Sequence, residues 1–246
     1  YETLVPGEPT GFNPLSLPDS APNREFLYQL FAFMLRPVNG TDLTASEEQV
    51  IRNAIASALA GGPAGRTLKA FSTLLRGRIR AGEGDLLARL ESWMRPDQRG
   101  WLFNNEEDQF SLSSVFGFDM TRVLDDPAIR TAALMYIIHR TEELLTGDPV
   151  MIFLDEGWRL LDDDVFAFFI RDKLKTIRKQ NGIVGFGTQS AADIVRSKAS
   201  NTLIEQTSTN IFFPNPKADD ESYQKAFRLS GREVAWIRGT VPESRS

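Results

Sequence analysis

The sequence predicts an α/β fold, a parallel sheet flanked by helices and carrying an all-helical insertion. Three observations lead there. Two short apolar runs, Val150 to Leu154 and Gly182 to Thr188, each end in polar residues and are separated by one amphipathic stretch. Alternation of that kind gives parallel strands joined by helical crossovers. Upstream, residues 22–98 carry helical periodicity without a strand signal. Finally, 246 residues at 41% hydrophobic and 25% charged suffice to bury a core without disulfide or metal staples.

Each element has a local reason. Residues 6–14, rich in Pro and Gly, read as an ordered loop or edge segment. Leu27, Leu30, Phe31, Met34 and Leu35 recur at helical spacing and give a helix over 22–36. Thr44 with Glu47 forms a capping box that opens a helix over 44–59, which Gly61-Gly62-Pro63 ends. Shorter helices are expected over 67–76 and 84–94, a strand over 111–119 and a helix over 127–146. Val150 to Leu154 is apolar throughout, the mark of a strand buried on both faces. A helix over 163–180 follows, with Phe166, Phe169, Ile170, Leu174 and Ile177 on one side. After the strand 182–188 come a helix over 190–205 and a third strand, Ser208 to Phe213. Helices fill 219–238, the last opened by a Ser230–Glu233 capping box. The boundaries expected are 1–21 with 99–246 for the sheet domain and 22–98 for the all-α insertion.

Composition removes several chemistries. With no cysteine there is no disulfide, Cys₄ zinc site, iron–sulfur cluster or cysteine nucleophile. One histidine, His139, makes no His–His metal pair within a chain. Carboxylate–Mg²⁺ chemistry is the natural remainder. A net charge of −5 lacks the basic footprint of a dedicated nucleic-acid binder, although a translocase holding DNA in the pore of a ring stays open. No apolar run reaches about 18 residues, so no spanning helix is expected. The chain opens Tyr1-Glu2-Thr3-Leu4 with neither Met nor a signal-type stretch, and is expected to be a fragment whose start lies upstream.

The chemistry-bearing residues cluster at strand ends. Asp155 and Glu156 directly follow the apolar run, placing two carboxylates where ligands of a parallel sheet belong. Asp155 suits Mg²⁺ held through water, since that ion takes one or two carboxylates plus phosphate oxygens. Glu156 suits the role of base toward an attacking water. The alternative is a solvated acidic turn. Strand 182–188 ends in Thr188-Gln189-Ser190, where Gln189 is placed to sense a lytic water or γ-phosphate and Thr188 or Ser190 to cap the next helix. Arg171, Lys173, Lys175, Arg178 and Lys179 form a basic stretch, read either as a solvated helix end or as the source of an arginine finger for a neighbouring subunit. Ala60 to Thr67 imitates a phosphate loop, but Arg66 stands where the lysine should be and a helix precedes it. His139, Trp93, Trp101, Trp158, Trp236, Phe166, Phe168 and Phe169 read as packing residues.

Ile152 to Trp158, Leu174 to Gly182 and Gly187 to Ser190 together resemble the large ATPase of type IV secretion and conjugation systems, the VirB-four or TrbE-like family. Ile204 to Pro216 and Gly7 to Pro14 are similar to further segments of that family, and the likeness runs over residues 1–238. The resemblance implies a RecA-like P-loop NTPase motor that uses ATP and Mg²⁺ to power pilus assembly or substrate transfer. It implies a hexamer or dimer at the cytoplasmic face of the bacterial inner membrane. Its partners would be other secretion subunits and a DNA or protein cargo. It matches Asp155 and Glu156 to the Walker B pair, Gln189 to the sensor and Arg178 to the finger, with Arg171 second. The Walker A segment is expected N-terminal to Tyr1, so the fragment alone is expected to be inactive. Two other readings remain: a DNA translocase of the FtsK/HerA type, and a non-catalytic docking module in which the helices of 22–98 bind partners.

Overall fold

In the computed structural model, side-chain caps decide where the first helices begin. The residues described are 1–37, 40–75, 85–110, 115–160, 163–189, 191–197 and 200–239. Ser20 accepts a hydrogen bond from the Asn23 N–H (3.3 Å) and starts α1, Ala21–Met34. The capping box opens α2, Ala45–Ala60: the Thr44 hydroxyl accepts from the Glu47 N–H (3.3 Å), and the Glu47 carboxylate from the Thr44 N–H (2.8 Å). Thr67 and Asp85 cap α3, Leu68–Leu74, and α4, Leu86–Glu91, by accepting from the Ala70 and Ala88 N–H groups. The short α5, Gly100–Phe103, and the long α6, Pro127–Glu142, complete this half. Two short strands, β1 (Glu2–Thr3) and β2 (Phe118–Asp119), pair in parallel; of the strand expected over 111–119, residues 115–117 are not part of that ladder and 111–114 lie outside the described residues.

The chain divides into two units, Tyr1–Arg140 and Thr141–Ser246. The first is built around Tyr136, whose ring meets Phe12 at 5.2 Å, Phe103 at 5.7 Å and Phe110 at 5.6 Å. Its apolar core runs from Leu4 to Tyr136 without a break, and the helices of the expected 22–98 insertion supply much of it. Polar side chains tie the turn-rich opening segment down. Asn13 Nδ2 donates to the carbonyls of Arg66 (2.9 Å) and Glu106 (3.2 Å), while the Asn13 N–H donates to Asp108 (3.1 Å). Arg140 in turn donates to the Asp108 carboxylate and to the Tyr136 hydroxyl. Burial and the neighbouring Asp108 carboxylate push the Tyr136 hydroxyl up from its ordinary pKa. A second ion pair, Arg89 with Glu47, lies almost wholly inside, the two side chains 5% and 8% exposed. Arg89 also donates to the Leu35 carbonyl (2.8 Å), so one guanidinium joins α4 to the end of α1 and the start of α2. Burial works against ionisation of Glu47, but the Thr44 and Arg89 hydrogen bonds outweigh it and hold its pKa at about 2.

The second unit carries β3, Val150–Leu154, and β4, Gly182–Phe186, paired in parallel with Val150 opposite Gly182 and Leu154 opposite Phe186. The crossover runs through α7, Asp164–Thr176, whose N-terminus Asp163 caps by accepting from the Val165 N–H (3.0 Å). The helix expected to run to 180 tightens into a 3₁₀ turn at Ile177–Gln180. The helix expected over 190–205 is two, α8 (Ala191–Arg196) and α9 (Ser200–Gln206), and α7 packs on α9. A π-helical turn, Glu221–Ala226, precedes α10, Gly231–Gly239. The Ser230–Glu233 box closes as expected, with the Glu233 carboxylate accepting from the Ser230 N–H (2.7 Å).

Three expectations need correction here. β3 is not buried on both faces: Met151 and Phe153 are 60% and 74% exposed, because nothing among the described residues covers that side of the strand pair. Ser208 to Phe213 is not a third strand; it pairs with no strand among the described residues. Its period-2 pattern survives without a partner, Phe212 packing on Tyr223 (5.6 Å) while Ile211 and Phe213 stay outside. Phe168 and Trp236, expected in the core, are 68% and 65% exposed, and Trp236 instead receives the Arg232 guanidinium. The side chains of Trp158 and Phe169 lie outside the described set.

Candidate functional site

β3 delivers Asp155 and Glu156 at its carboxyl end. Leu154 and Phe186 form the last rung of the pair, and the Gly187 N–H donates to the Leu154 carbonyl (2.9 Å), extending the ladder one step. There the chain turns sharply: Glu156 has φ 51°, in the left-handed region that costs a non-glycine residue about 1–2 kcal/mol. The turn is closed by Gly157, which is buried beneath the Phe186 ring and begins a 3₁₀ turn, Gly157–Leu160. A strained backbone therefore breaks the strand's alternation at the second of the two carboxylates. Asp155 is exposed and Glu156 half-buried.

Beside them, β4 leads through Gly187 and Thr188 to the exposed Gln189. The structure thus brings Asp155, Glu156 and Gln189 to one end of one strand pair. Ser190, the other candidate cap for the following helix, lies outside the described residues. Gly187 keeps the space beside the Asp155 carboxylate clear of a side chain, since a Cβ there would lie 3.1 Å from Oδ1. The donor set is that of Mg²⁺, a hard ion that takes one or two carboxylates and completes its shell with phosphate oxygens and water. Among the described residues, no group of three or more His, Cys, Asp or Glu could hold a metal by protein ligands alone.

Arg178 is not part of that constellation. It lies in the 3₁₀ turn before β4, at the amino end of the pair. Asn181 makes the turn possible, adopting φ 58° and donating from Nδ2 to the Gly147 carbonyl (3.2 Å). The exposed Arg178 lines a shallow depression with Pro149, Val150 and Met151 on one side and Asn181, Gly182 and Ile183 on the other. From Val150 to Asp155 is five strand steps, roughly 16 Å at about 3.3 Å each. Within one chain, Arg178 and the carboxylates therefore face opposite ends of the sheet. Arg171, Lys173 and Lys175 fall on α7 at positions whose side chains lie outside the described set, and Lys179 is exposed.

The remaining candidates have structural work. In the phosphate-loop imitation, Arg66 donates to the carbonyls of Leu17 (3.2 Å) and Leu59 (2.7 Å), and Thr67 caps α3. His139 Nε2 lies 2.8 Å from Asn23 Oδ1, and its ring stacks on Phe26 at 3.8 Å. Trp93 and Trp101 are buried in the first unit. Sequence reasoning passed over Gly157 and Gly187. The signal was there, a glycine directly after each acidic or apolar strand end, in Asp155-Glu156-Gly157 and Gly185-Phe186-Gly187.

The sequence profile of the TraG P-loop domain matches residues 80–237. The type IV secretion system protein VirB4 of Bartonella quintana is 37% identical over 98% of this chain and 30% of its own length. The type IV secretion system protein PtlC of Bordetella pertussis is 35% identical over 99% of this chain and again 30% of its own. The chain thus spans under a third of these relatives. The structure of VirB4 of Thermoanaerobacter pseudethanolicus matches with a TM-score of 0.65 at 17% identity, covering 96% of this chain and 70% of that one. That likeness shows a shared fold, and together with the P-loop domain match it bears out the α/β architecture expected from strand–helix alternation and from the family resemblance.

Proposed function

The chain belongs to the TraG P-loop domain family, and from that premise we propose that it is the hydrolytic part of an ATP-driven motor of a bacterial type IV secretion or conjugation system. One observation carries the reading: Asp155, Glu156 and Gln189 emerge together at the carboxyl end of the β3–β4 pair. Asp155 would hold Mg²⁺, and Glu156 accepts the proton of the attacking water, which Gln189 orients. Bound Mg²⁺ supplies charge neutralisation for the phosphates of ATP. The left-handed backbone at Glu156 fits this reading, since strained non-glycine positions gather at functional sites.

Arg178 acts in trans. Its place at the amino end of the pair, roughly 16 Å from Asp155 along β3, supports contact with the nucleotide of a neighbouring subunit in a dimer or hexamer. The phosphate cradle belongs to another part of the polypeptide, since no stretch of the 246 residues reads G-x₄-G-K-[ST]. This chain by itself is accordingly inactive. The helices of 22–98 are an insertion in the motor. The protein works at the cytoplasmic face of the inner membrane with other secretion subunits; among the described residues no helix is long and apolar enough to cross a membrane.

The test is Glu156→Gln in the full-length protein. Turnover should fall by about 10²- to 10⁴-fold, the worth of a positioned base, with ATP binding kept. Wild-type turnover would sink the assignment.

A further inference from the structure

We propose that Gly187 is the positioning residue for the Asp155 carboxylate, and that this glycine is present for the carboxylate's sake and not for the backbone's. The inference rests on the reading of Asp155 as the Mg²⁺-holding residue. Asp155 and Gly187 are the first residues beyond the last paired rung of β3 and β4, Leu154 with Phe186. In a parallel pair, residues at matching positions send their side chains to the same face. Here the Asp155 side chain leans across to its neighbour. A Cβ built on Gly187 would lie 3.1 Å from Asp155 Oδ1, tighter than ordinary contact, so the carboxylate occupies the margin that a side chain at 187 would need.

The rest of the Gly187 environment is permissive. The next nearest atoms, the Asp155 Cα and the Leu154 carbonyl oxygen, are both 3.8 Å from that Cβ, which is normal contact. Gly187 is also absent from the residues with positive φ, so its backbone conformation is open to any residue. Added bulk is therefore relieved by the one group that can swing, the exposed Asp155 carboxylate. Gly157, at the same strand end, is the opposite case. A Cβ there would come within 2.8 Å of Phe186 Cε2 and 3.2 Å of Leu154 Cβ, inside the packing that folds the turn. One glycine serves the fold and the other the carboxylate.

Mn²⁺ affinity, followed by electron paramagnetic resonance in the full-length protein with a non-hydrolysable ATP analogue, separates these roles. Gly187→Ala should keep the wild-type melting temperature and weaken Mn²⁺ binding about tenfold, in the range seen when a group orienting a metal ligand is lost. Asp155→Ala should weaken it further, and adding Gly187→Ala to that variant should change nothing more, since the two act through one carboxylate. Gly157→Ala should lower the melting temperature. Wild-type Mn²⁺ affinity in Gly187→Ala, or full additivity in the double variant, would overturn the positioning role while leaving Asp155 as the metal's residue. Unchanged affinity in Asp155→Ala would instead overturn the reading on which it rests.

Discussion

The two units of the chain spend their side chains differently. Tyr1–Arg140 encloses an aromatic cluster about Tyr136, an Arg140–Asp108–Tyr136 hydrogen-bonded trio and an interior Arg89–Glu47 pair. Thr141–Ser246 keeps small buried clusters, such as Ala218, Tyr223 and Val234, and leaves Met151, Phe153, Ile183, Ile211 and Phe213 outside. Yet the second unit holds Asp155, Glu156, Gln189 and Arg178. The densest packing and the candidate site residues thus lie in separate stretches of one chain.

The largest effect that would break this contrast is on the first unit. Arg89→Ala strands the Glu47 carboxylate inside, a loss of about 3–5 kcal/mol for breaking a buried pair. Urea unfolding read from the buried Trp93 and Trp101 should shift accordingly, while that read from the exposed Trp236 stays put. A common shift at all three would show that the units unfold as one. Acid should remove the same stabilisation. The folded pKa of Glu47 is depressed from 4.5 to about 2. Its contribution of about 3 kcal/mol is therefore full above pH 4.5 and lost as pH falls toward 2. The tryptophan signals of the first unit should melt at progressively lower temperature across that window. The smallest effect belongs to the second unit. Phe153→Ser removes a ring that is 74% exposed and should cost within about 0.5 kcal/mol. A larger cost would mean that the open side of β3 is covered.

What could be read from sequence follows the same contrast. Capping boxes at Thr44–Glu47 and Ser230–Glu233 are local, needing four residues each, and both close as written. β3 and β4 were legible because an apolar run ending in polar residues is also a local pattern. The burial of β3 was not, because it depends on what lies against the strand, and the pattern in Val150 to Leu154 holds no information on that. Ser208 to Phe213 failed for the same reason: alternation specifies a strand only when a partner edge receives it. At the site, chain order placed Asp155, Glu156 and Gln189 near one another, since each lies within three residues of the carboxyl end of a paired strand. The separation of Arg178 needed the register, and the roles of Gly157 and Gly187 needed the distances across the last rung.

The central claim is that opposite ends of one strand pair serve two different nucleotide sites, the carboxylates their own and Arg178 a neighbour's. Mixing two inactive full-length proteins tests it most directly. Glu156→Gln and Arg178→Ala should each hydrolyse ATP at least about 10²-fold more slowly than the wild type. Combined in equal amounts, they should regain turnover, because some interfaces then pair an intact Glu156 from one subunit with an intact Arg178 from the other. No recovery at any ratio, or wild-type turnover by Arg178→Ala alone, would contradict it.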